Sequence, residues 1–217
     1  HRYLHSFPTR RSSDLSLTTY LRDQTGALMV SDVTMPVKNN DKVNGMLYVQ
    51  SAVANKVPQA VGLGTETDVT GLAIVAGSEA QPREVTLDEL TENDYSDLVL
   101  VKGSSIKRDG GFWAYSDNNT ARIWAGNFGI SSGLTSSTKL DGKLFNITAI
   151  YGTNVKSGTV INELNVTKAV EEYNETGIKE ISNGQQANHP SFNLAGQRVD
   201  SHYKGLTIKN GKKYMNK

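Results

Sequence analysis

Apolar and polar residues begin to alternate at Tyr20. The stretch YLRDQTGALMVSD reads as a strand, a turn over residues 23–26 and a second strand: Asp and Gly bracket the turn, and the flanks carry the period of two that puts alternate side chains on one face of a sheet. KNNDKVNGMLYVQSAV follows as a polar turn and a long alternating strand, and QAVGLGTETDVTGLAIVAG supplies one or two more. SEAQPRE, with Pro82, is the linker candidate. In VTLDELTENDY, Leu87 and Leu90 stand three apart with carboxylates between them, which predicts a short helix with Thr86 as N-cap and Glu89 as the answering capping-box residue.

The second half repeats the first in outline. DLVLVKGSSI predicts a strand, and FWAYSDNNTARIWAGNF predicts strand, Asp/Asn turn and strand in the position of YLRDQTGALMVSD. KLDGKLFNITAIYGT then takes the place of KNNDKVNGMLYVQ, and GTVINELNVTKAV closes the unit. The second unit has about five strands and the first about four, its opening strand being the one without a counterpart. Ahead of it stands SFPTRRSSDL, residues 6–15, whose arginines, proline and short apolar runs give neither a signal peptide nor a helix or strand. These ten residues resemble the translation of a common sequencing-library adapter. The resemblance implies an artefactual or disordered leader over residues 1–15 and a natural N-terminus lost upstream.

Composition agrees with strands joined by tight turns. Twenty glycines and nine tyrosines among 217 residues, with many Val, Thr and Asn, point to an all-β chain. No apolar run approaches the roughly 18 residues of a membrane-spanning helix. With no cysteine, disulfides, thiolate nucleophiles and cysteine-bound zinc are excluded. The four histidines are His1, His5, His189 and His202, so residues 16–188 lack the usual general base of neutral pH. Charge is divided: residues 16–176 carry 13 Lys and Arg against 19 Asp and Glu, and residues 177–217 carry 7 against 2. The acidic body disfavours nucleic acid as a partner.

The segments YLRDQTGALMV, NDKVNGMLYV and REVTLDELTENDYSDLVLVKG resemble the tandem OB-like β-barrels of secreted Bacteroidetes-type proteins, over residues 18–172. The resemblance implies two such barrels: a truncated one over residues 16–78 and a second over 79–172. The Asp-x-Thr-Gly turn of the first is replaced in the second by Asp117, Asn118, Asn119 and Thr120. ETGIKEISNGQQANHPS is polar and turn-rich, which makes residues 173–190 a linker.

The tail, residues 191–217, predicts two hairpins, one turning at Ala195 and Gly196 and one at Asn210 and Gly211. It resembles the C-terminal end of sorting domains of the type IX secretion route on Gly196, Gln197, Arg198, Val199, Lys204, Gly205, Ile208, Asn210, Gly211, Lys212 and Lys213. Thr207 departs from the aromatic usual there. The resemblance implies reading by secretion machinery and delivery to the medium or the outer-membrane surface of a Gram-negative bacterium. The bland alternative is a basic hairpin packed on the acidic body.

The richest candidate chemistry is aromatic. Trp113 and Tyr115 share one face of a strand, as do Arg122 and Trp124; if Ile123 points inward, Trp124 faces out. Exposed rings on this hairpin of an OB barrel stack on bases or sugars. Given the acidic body, the four residues are candidate ligands for a neutral glycan or a protein surface; the alternative puts both tryptophans in the core. Asp109, Asp117 and Asp141 are the acids left for a two-carboxylate mechanism, but each sits in a turn signal, and Asp117 with its asparagines lacks the spacing of a calcium loop. The Asn-x-Thr tripeptides at Asn118, Asn146, Asn165 and Asn174 read as chance in an Asn- and Thr-rich chain. The expectation is therefore an exported binding or accessory module with no catalytic activity and no cofactor. The alternative is the accessory region of a secreted nuclease or hydrolase.

Overall fold

The computed structural model describes residues 4–6, 18–173, 191–193, 197–199, 203–209 and 212–216. The protein is all-β. Residues 1–175 and 176–217 form two compact units.

The first unit contains two seven-stranded sheets. One is built from β1 (Leu4–Ser6), β2 (Thr18–Arg22), β3 (Ala27–Val33), β4 (Lys42–Gly45), β5 (Gln50–Ala54), β6 (Val57–Gly64) and β7 (Leu72–Val75), in the order β5-β6-β3-β2-β1-β4-β7. The other is built from β8 (Arg83–Val85), β9 (Leu98–Arg108), β10 (Phe112–Tyr115), β11 (Thr120–Trp124), β12 (Leu144–Lys156), β13 (Thr159–Val166) and β14 (Glu171–Glu172), in the order β14-β12-β13-β11-β10-β9-β8. In the second sheet β12 also pairs with β9, so the pairings β9-β10-β11-β13-β12-β9 close on themselves; β11 and β13 are parallel, the other pairs of the ring antiparallel. Gly103, at φ +59°, lies between the part of β9 that pairs with β8 and the part that pairs with β10, a backbone angle that a side chain would strain.

The two sheets share several strand pairings. β1, β2 and β3 pair in sequence like β9, β10 and β11, and β3 runs parallel to β6 as β11 does to β13. Both hairpins cross a four-residue turn, closed by Asp23 N–H to Gly26 O at 3.0 Å in one and Ser116 N–H to Asn119 O at 2.9 Å in the other. In the first, Asp23 Oδ1 also accepts from Thr25 N at 2.7 Å and Gly26 N at 3.2 Å, the local chemistry that makes Asp a turn residue.

Two expectations change. The opening strand of the first sheet is present: Leu4–Ser6 lies between β2 and β4, with Leu4 opposite Val43 and His5 opposite both Lys42 and Arg22. Its pairing is of backbone with backbone, satisfying two strand edges without any apolar pattern, so the residue sequence carries no signal for it. The helix expected after Thr86 is instead two single 3-10 turns, Leu87–Glu89 and Glu92–Asp94. The cap itself forms as expected, with Glu89 Oε2 accepting from Thr86 N at 2.6 Å and from its Oγ1 at 3.0 Å. Thr91 and Asp94 repeat the arrangement at 2.7 and 2.9 Å, and two caps five residues apart leave room for only one turn each.

The main core lies inside the second sheet, where Val99, Val101, Ala114, Ala121, Ile147, Ala149, Leu164 and Val166 are wholly buried. A smaller core of Leu21, Val30, Val33, Val43 and Ala60 serves the first. The sheets meet through Leu98 and Ile150, packed against Tyr20, Ala80 and Phe128, the Tyr20 and Phe128 rings edge-on at 6.1 Å. Beside this contact Asp97 accepts from Arg83 Nε at 3.0 Å, and its other oxygen faces Arg22 Nε at 3.3 Å, an ion pair without hydrogen-bond alignment. Arg83 also donates to Asp94 at 2.5 Å.

The second unit is a four-stranded antiparallel sheet of β15 (Ser191–Asn193), β16 (Arg198–Val199), β17 (Gly205–Lys209) and β18 (Lys212–Asn216), in the order β16-β15-β17-β18. Lys209 pairs with Lys212, the register expected for a turn at Asn210 and Gly211, whereas Phe192 pairs with Arg198, one residue away from the register of a two-residue turn at Ala195 and Gly196. Of the expected linker over residues 173–190, residues 174–190 lie outside the described residues, as do the expected turn residues Gly196 and Gly211.

Candidate functional site

The two capped turns fix one wall of a cavity. They place Tyr95 so that its hydroxyl donates to Asn162 Oδ1 at 3.2 Å. Asn162 Nδ2 donates to Asn119 Oδ1 at 3.1 Å, and Asn119 Nδ2 donates back to the carbonyls of Leu87 at 2.9 Å and Leu90 at 3.4 Å. The chain of bonds thus runs from the turns to β13, to the β10–β11 turn and back to the first turn. Ser116 Oγ adds a bond to Asp88 Oδ1 at 2.5 Å. Apart from Asp88 the bonded groups are uncharged, so the wall is held by amides, a phenol, a hydroxyl and backbone carbonyls without an ion at its centre.

The cavity they border has a volume of about 600 Å³, inside the range of small-molecule sites. Leu90, Val160 and Ile161 supply apolar surface, Thr91, Thr120 and Asn118 supply polar groups, and Trp113 stands at the wall. Among the described residues the one cation lining it, Lys56, is paired to Glu92 at 2.8 Å, which raises the pKa of its ammonium. With Asp88 and Glu92 both in the lining, these residues leave no spare positive charge for an anion. At its base the Tyr95 and Tyr151 rings lie 5.2 Å apart at 39°. Burial and the neighbouring Tyr95 push the Tyr151 phenol up to about 12, against a smaller opposing effect of Asn119; burial also raises Tyr95. Both are neutral hydrogen-bonding groups at physiological pH.

Trp113, Tyr115, Arg122 and Trp124 share one face of the β10–β11 hairpin, with Trp113 directly opposite Arg122. The other face carries Ala114, Ala121 and Ile123 into the core, and neither tryptophan belongs to that core. Each ring on this face already has a cation above it: Lys156 Nζ is 5.5 Å from the Trp113 ring centre, Lys107 Nζ 5.6 Å from Tyr115, and the Arg122 guanidinium 4.2 Å from Trp124. Trp113 Nε1 donates to Asp109 O at 2.7 Å and Trp124 Nε1 to Asn127 Oδ1 at 3.3 Å, which fixes both ring planes. Arg122 also pairs with Glu163 at 3.6 Å. Burial raises the Glu163 pKa; the Asn154 amide, which donates to Glu163 at 3.1 Å, Arg122 and Asn165 work against it. Of the four residues, Trp113 alone lines the cavity.

The remaining candidates sit in turns. Asp109 N donates to Gly111 O at 2.9 Å, and Asp117 is exposed in the Ser116–Asn119 turn. Asn119 uses its side-chain oxygen on Asn162, so that oxygen is engaged within the protein. Among the described residues no cluster of three or more His, Asp or Glu side chains is placed to hold a metal ion. Of the sequon asparagines, Asn165 is buried, and Asn174 lies outside the described residues. In the tail, Arg198 is exposed, Val199 half-buried and Gly205 at φ +134°. No protein-family model matches this chain, and no curated protein matches it.

No local sequence pattern marks Tyr95, Asn162 or Tyr151 as site residues. Asn162 faces Tyr95 only because β11 and β13 pair in parallel, Ala121 beside Asn162, and no local pattern announces a pairing across that distance.

Proposed function

We propose that the chain is a binding module without catalytic activity of its own, in which residues 79–172 form an OB-like barrel that takes a neutral glycan in the cavity beside Trp113. The barrel reading is supported by the closed ring β9-β10-β11-β13-β12 with its parallel β11–β13 pair, and a matching set of pairings in the first sheet supports a tandem arrangement. One observation carries the ligand class: a cavity of about 600 Å³ lined by amides, hydroxyls and a tryptophan, whose single cation among the described residues is already paired to a carboxylate. Sugar hydroxyls match such donors and acceptors, and the C–H face of a pyranose suits an indole ring. Phosphate-bearing ligands meet two carboxylates and, among these lining residues, no free cation.

Titration of the folded chain with neutral gluco-, manno- and galacto-oligosaccharides, followed by tryptophan fluorescence, tests this. A saturable change with at least one series is expected, and Trp113→Ala should weaken it about tenfold or more, equivalent to ~1.4 kcal/mol. A flat response from folded protein with every series overturns the proposal.

For the tail, the reading is export and surface delivery by a type IX route. Its support is the residue match over Gly196 to Lys213 and the Lys209–Lys212 pairing that brackets Asn-Gly. Deleting residues 191–217 in a host that has this route should keep the product inside the cell; unchanged surface delivery overturns it.

A further inference from the structure

Two hairpin turns hold corresponding places in the two sheets. β5 and β6 are joined by Asn55 and Lys56, with Ala54 opposite Val57; β12 and β13 are joined by Ser157 and Gly158, with Lys156 opposite Thr159. The correspondence rests on pairing: both hairpins are antiparallel, and β6 runs parallel to β3 as β13 does to β11. All four turn residues have positive φ, +51° at Asn55, +69° at Lys56, +50° at Ser157 and +79° at Gly158. Asn-Gly is the favoured pair for a two-residue turn of this kind, and the second sheet follows the rule with glycine in second place. The first sheet puts a lysine there, in a left-handed backbone that disfavours any side chain. Local turn chemistry gives no reason for Lys56, but the place it reaches does. Thr153 Oγ1 donates to Asn55 O, and Val57 is buried in the apolar cluster that contains Leu87, Leu90, Tyr95 and Tyr151, so the turn is docked against the second sheet. Lys56 is thereby carried into the lining of the cavity beside Trp113, where its Nζ donates to Glu92 Oε1 at 2.8 Å. The two side chains are 56% and 67% exposed, so the pair stays open to a ligand, and an exposed pair of this kind adds little to stability.

We infer that the site is shared between the sheets: Lys56, brought in by the first, donates to a hydroxyl of the glycan, and Glu92, brought in by the second, accepts from the adjacent hydroxyl. This role for Lys56 rests on the glycan reading of the cavity and adds the part of the sugar that is recognised, a free vicinal diol. An ammonium has three donors, of which the bond to Glu92 uses one, and the carboxylate keeps acceptor sites of its own. Side by side the two carry no net charge, which offers nothing to an ion. They do present a donor and an acceptor at hydrogen-bond spacing, as neighbouring hydroxyls of a pyranose do. A ligand contact also accounts for a lysine where glycine would relieve the backbone.

The test measures affinity and stability on the same full-chain variants, by tryptophan fluorescence titration with the neutral oligosaccharide series and by urea denaturation. Lys56→Gly restores the favoured Asn-Gly turn, and Lys56→Met keeps the stem without the ammonium. Both should bind about tenfold or more weakly, the scale of one hydrogen bond to a charged group, while the urea midpoint of Lys56→Gly stays level with that of the natural chain or rises. Deoxy analogues of the sugar that binds most tightly complete a cycle: loss of the hydroxyl that meets Lys56 should weaken binding to the natural chain and leave Lys56→Met, which already lacks the donor, unchanged. Unchanged affinity of either variant, with the natural chain binding, overturns the inference and leaves the glycan reading standing. So does equal weakening of the natural chain and Lys56→Met by every deoxy analogue. Weaker binding by Lys56→Gly together with a lower urea midpoint makes Lys56 a brace between the sheets and overturns the inference as well. A folded natural chain that responds to no oligosaccharide overturns the glycan reading, and this role of Lys56 with it.

Discussion

Tyr95 and Asn162, 67 residues apart in the chain, are joined by a hydrogen bond of 3.2 Å that ties the second 3-10 turn to β13. Through Asn162 the same contact reaches Asn119 and the β10–β11 turn. The wall of the cavity is thus assembled from three chain segments that only the fold brings together, and it is set before any ligand arrives.

Tyr95→Phe removes the donor and keeps the ring beside Tyr151. A loss of about 1 kcal/mol is expected from urea denaturation, the usual net worth of one such bond. Because the bond positions Asn162, glycan affinity should fall with it, and the fluorescence titration of the variant measures that directly.

Tyr151 makes stability sensitive to alkali. Its phenol ionises near 10 when free and is pushed up to about 12 in the fold, so the folded state holds the proton more tightly than the unfolded chain. The contribution is fully present below pH 10 and is lost as pH rises from about 10 through about 12. Complete loss amounts to about 2 to 3 kcal/mol. Urea midpoints taken across this window should fall for the natural chain, and Tyr151→Phe, which has no phenol to ionise, should fall less.

Glu163 acts with the same sign in a lower window. Burial raises its folded pKa above the usual glutamate value, so the stability tied to its protonated form is present in acid and is lost as pH rises through the folded pKa. Glu163→Gln keeps the shape and removes the titration. Comparing urea midpoints at pH 4 and pH 7, the variant should gain on the natural chain at the higher pH. An equal difference at both values would show that Arg122 and Asn154 fully offset the burial.

The local parts of this fold are legible in the sequence because short-range chemistry dictates them. Asp23 and Gly26 announce a turn that the Asp23 carboxylate then caps, and Asn210-Gly211 announces the hairpin whose register is set by Lys209 and Lys212. The period of two puts Trp113 and Tyr115 on one face and leaves Ala114 for the core. Capping by Thr86 and Glu89 is equally local, but whether a cap starts a helix depends on the residues beyond it, and Thr91 starts a second turn before the first can extend. Two features are not legible. Leu4–Ser6 pairs with β2 and β4 although its three residues carry no alternating pattern. The cavity depends on the parallel pairing of β11 with β13, and the cations over Trp113 and Trp124 come from Lys156 and Arg122, whose directions no spacing rule supplies.

In the proposed function, the Asn119–Asn162–Tyr95 wall receives a neutral sugar. The most direct test follows the side-chain amide resonances of Asn119 and Asn162 by NMR while the oligosaccharide that binds most tightly is added. Saturable shifts of both amides together with the Trp113 indole N–H are expected. Binding that moves the Trp124 indole and leaves these three groups still would place the ligand elsewhere and contradict it.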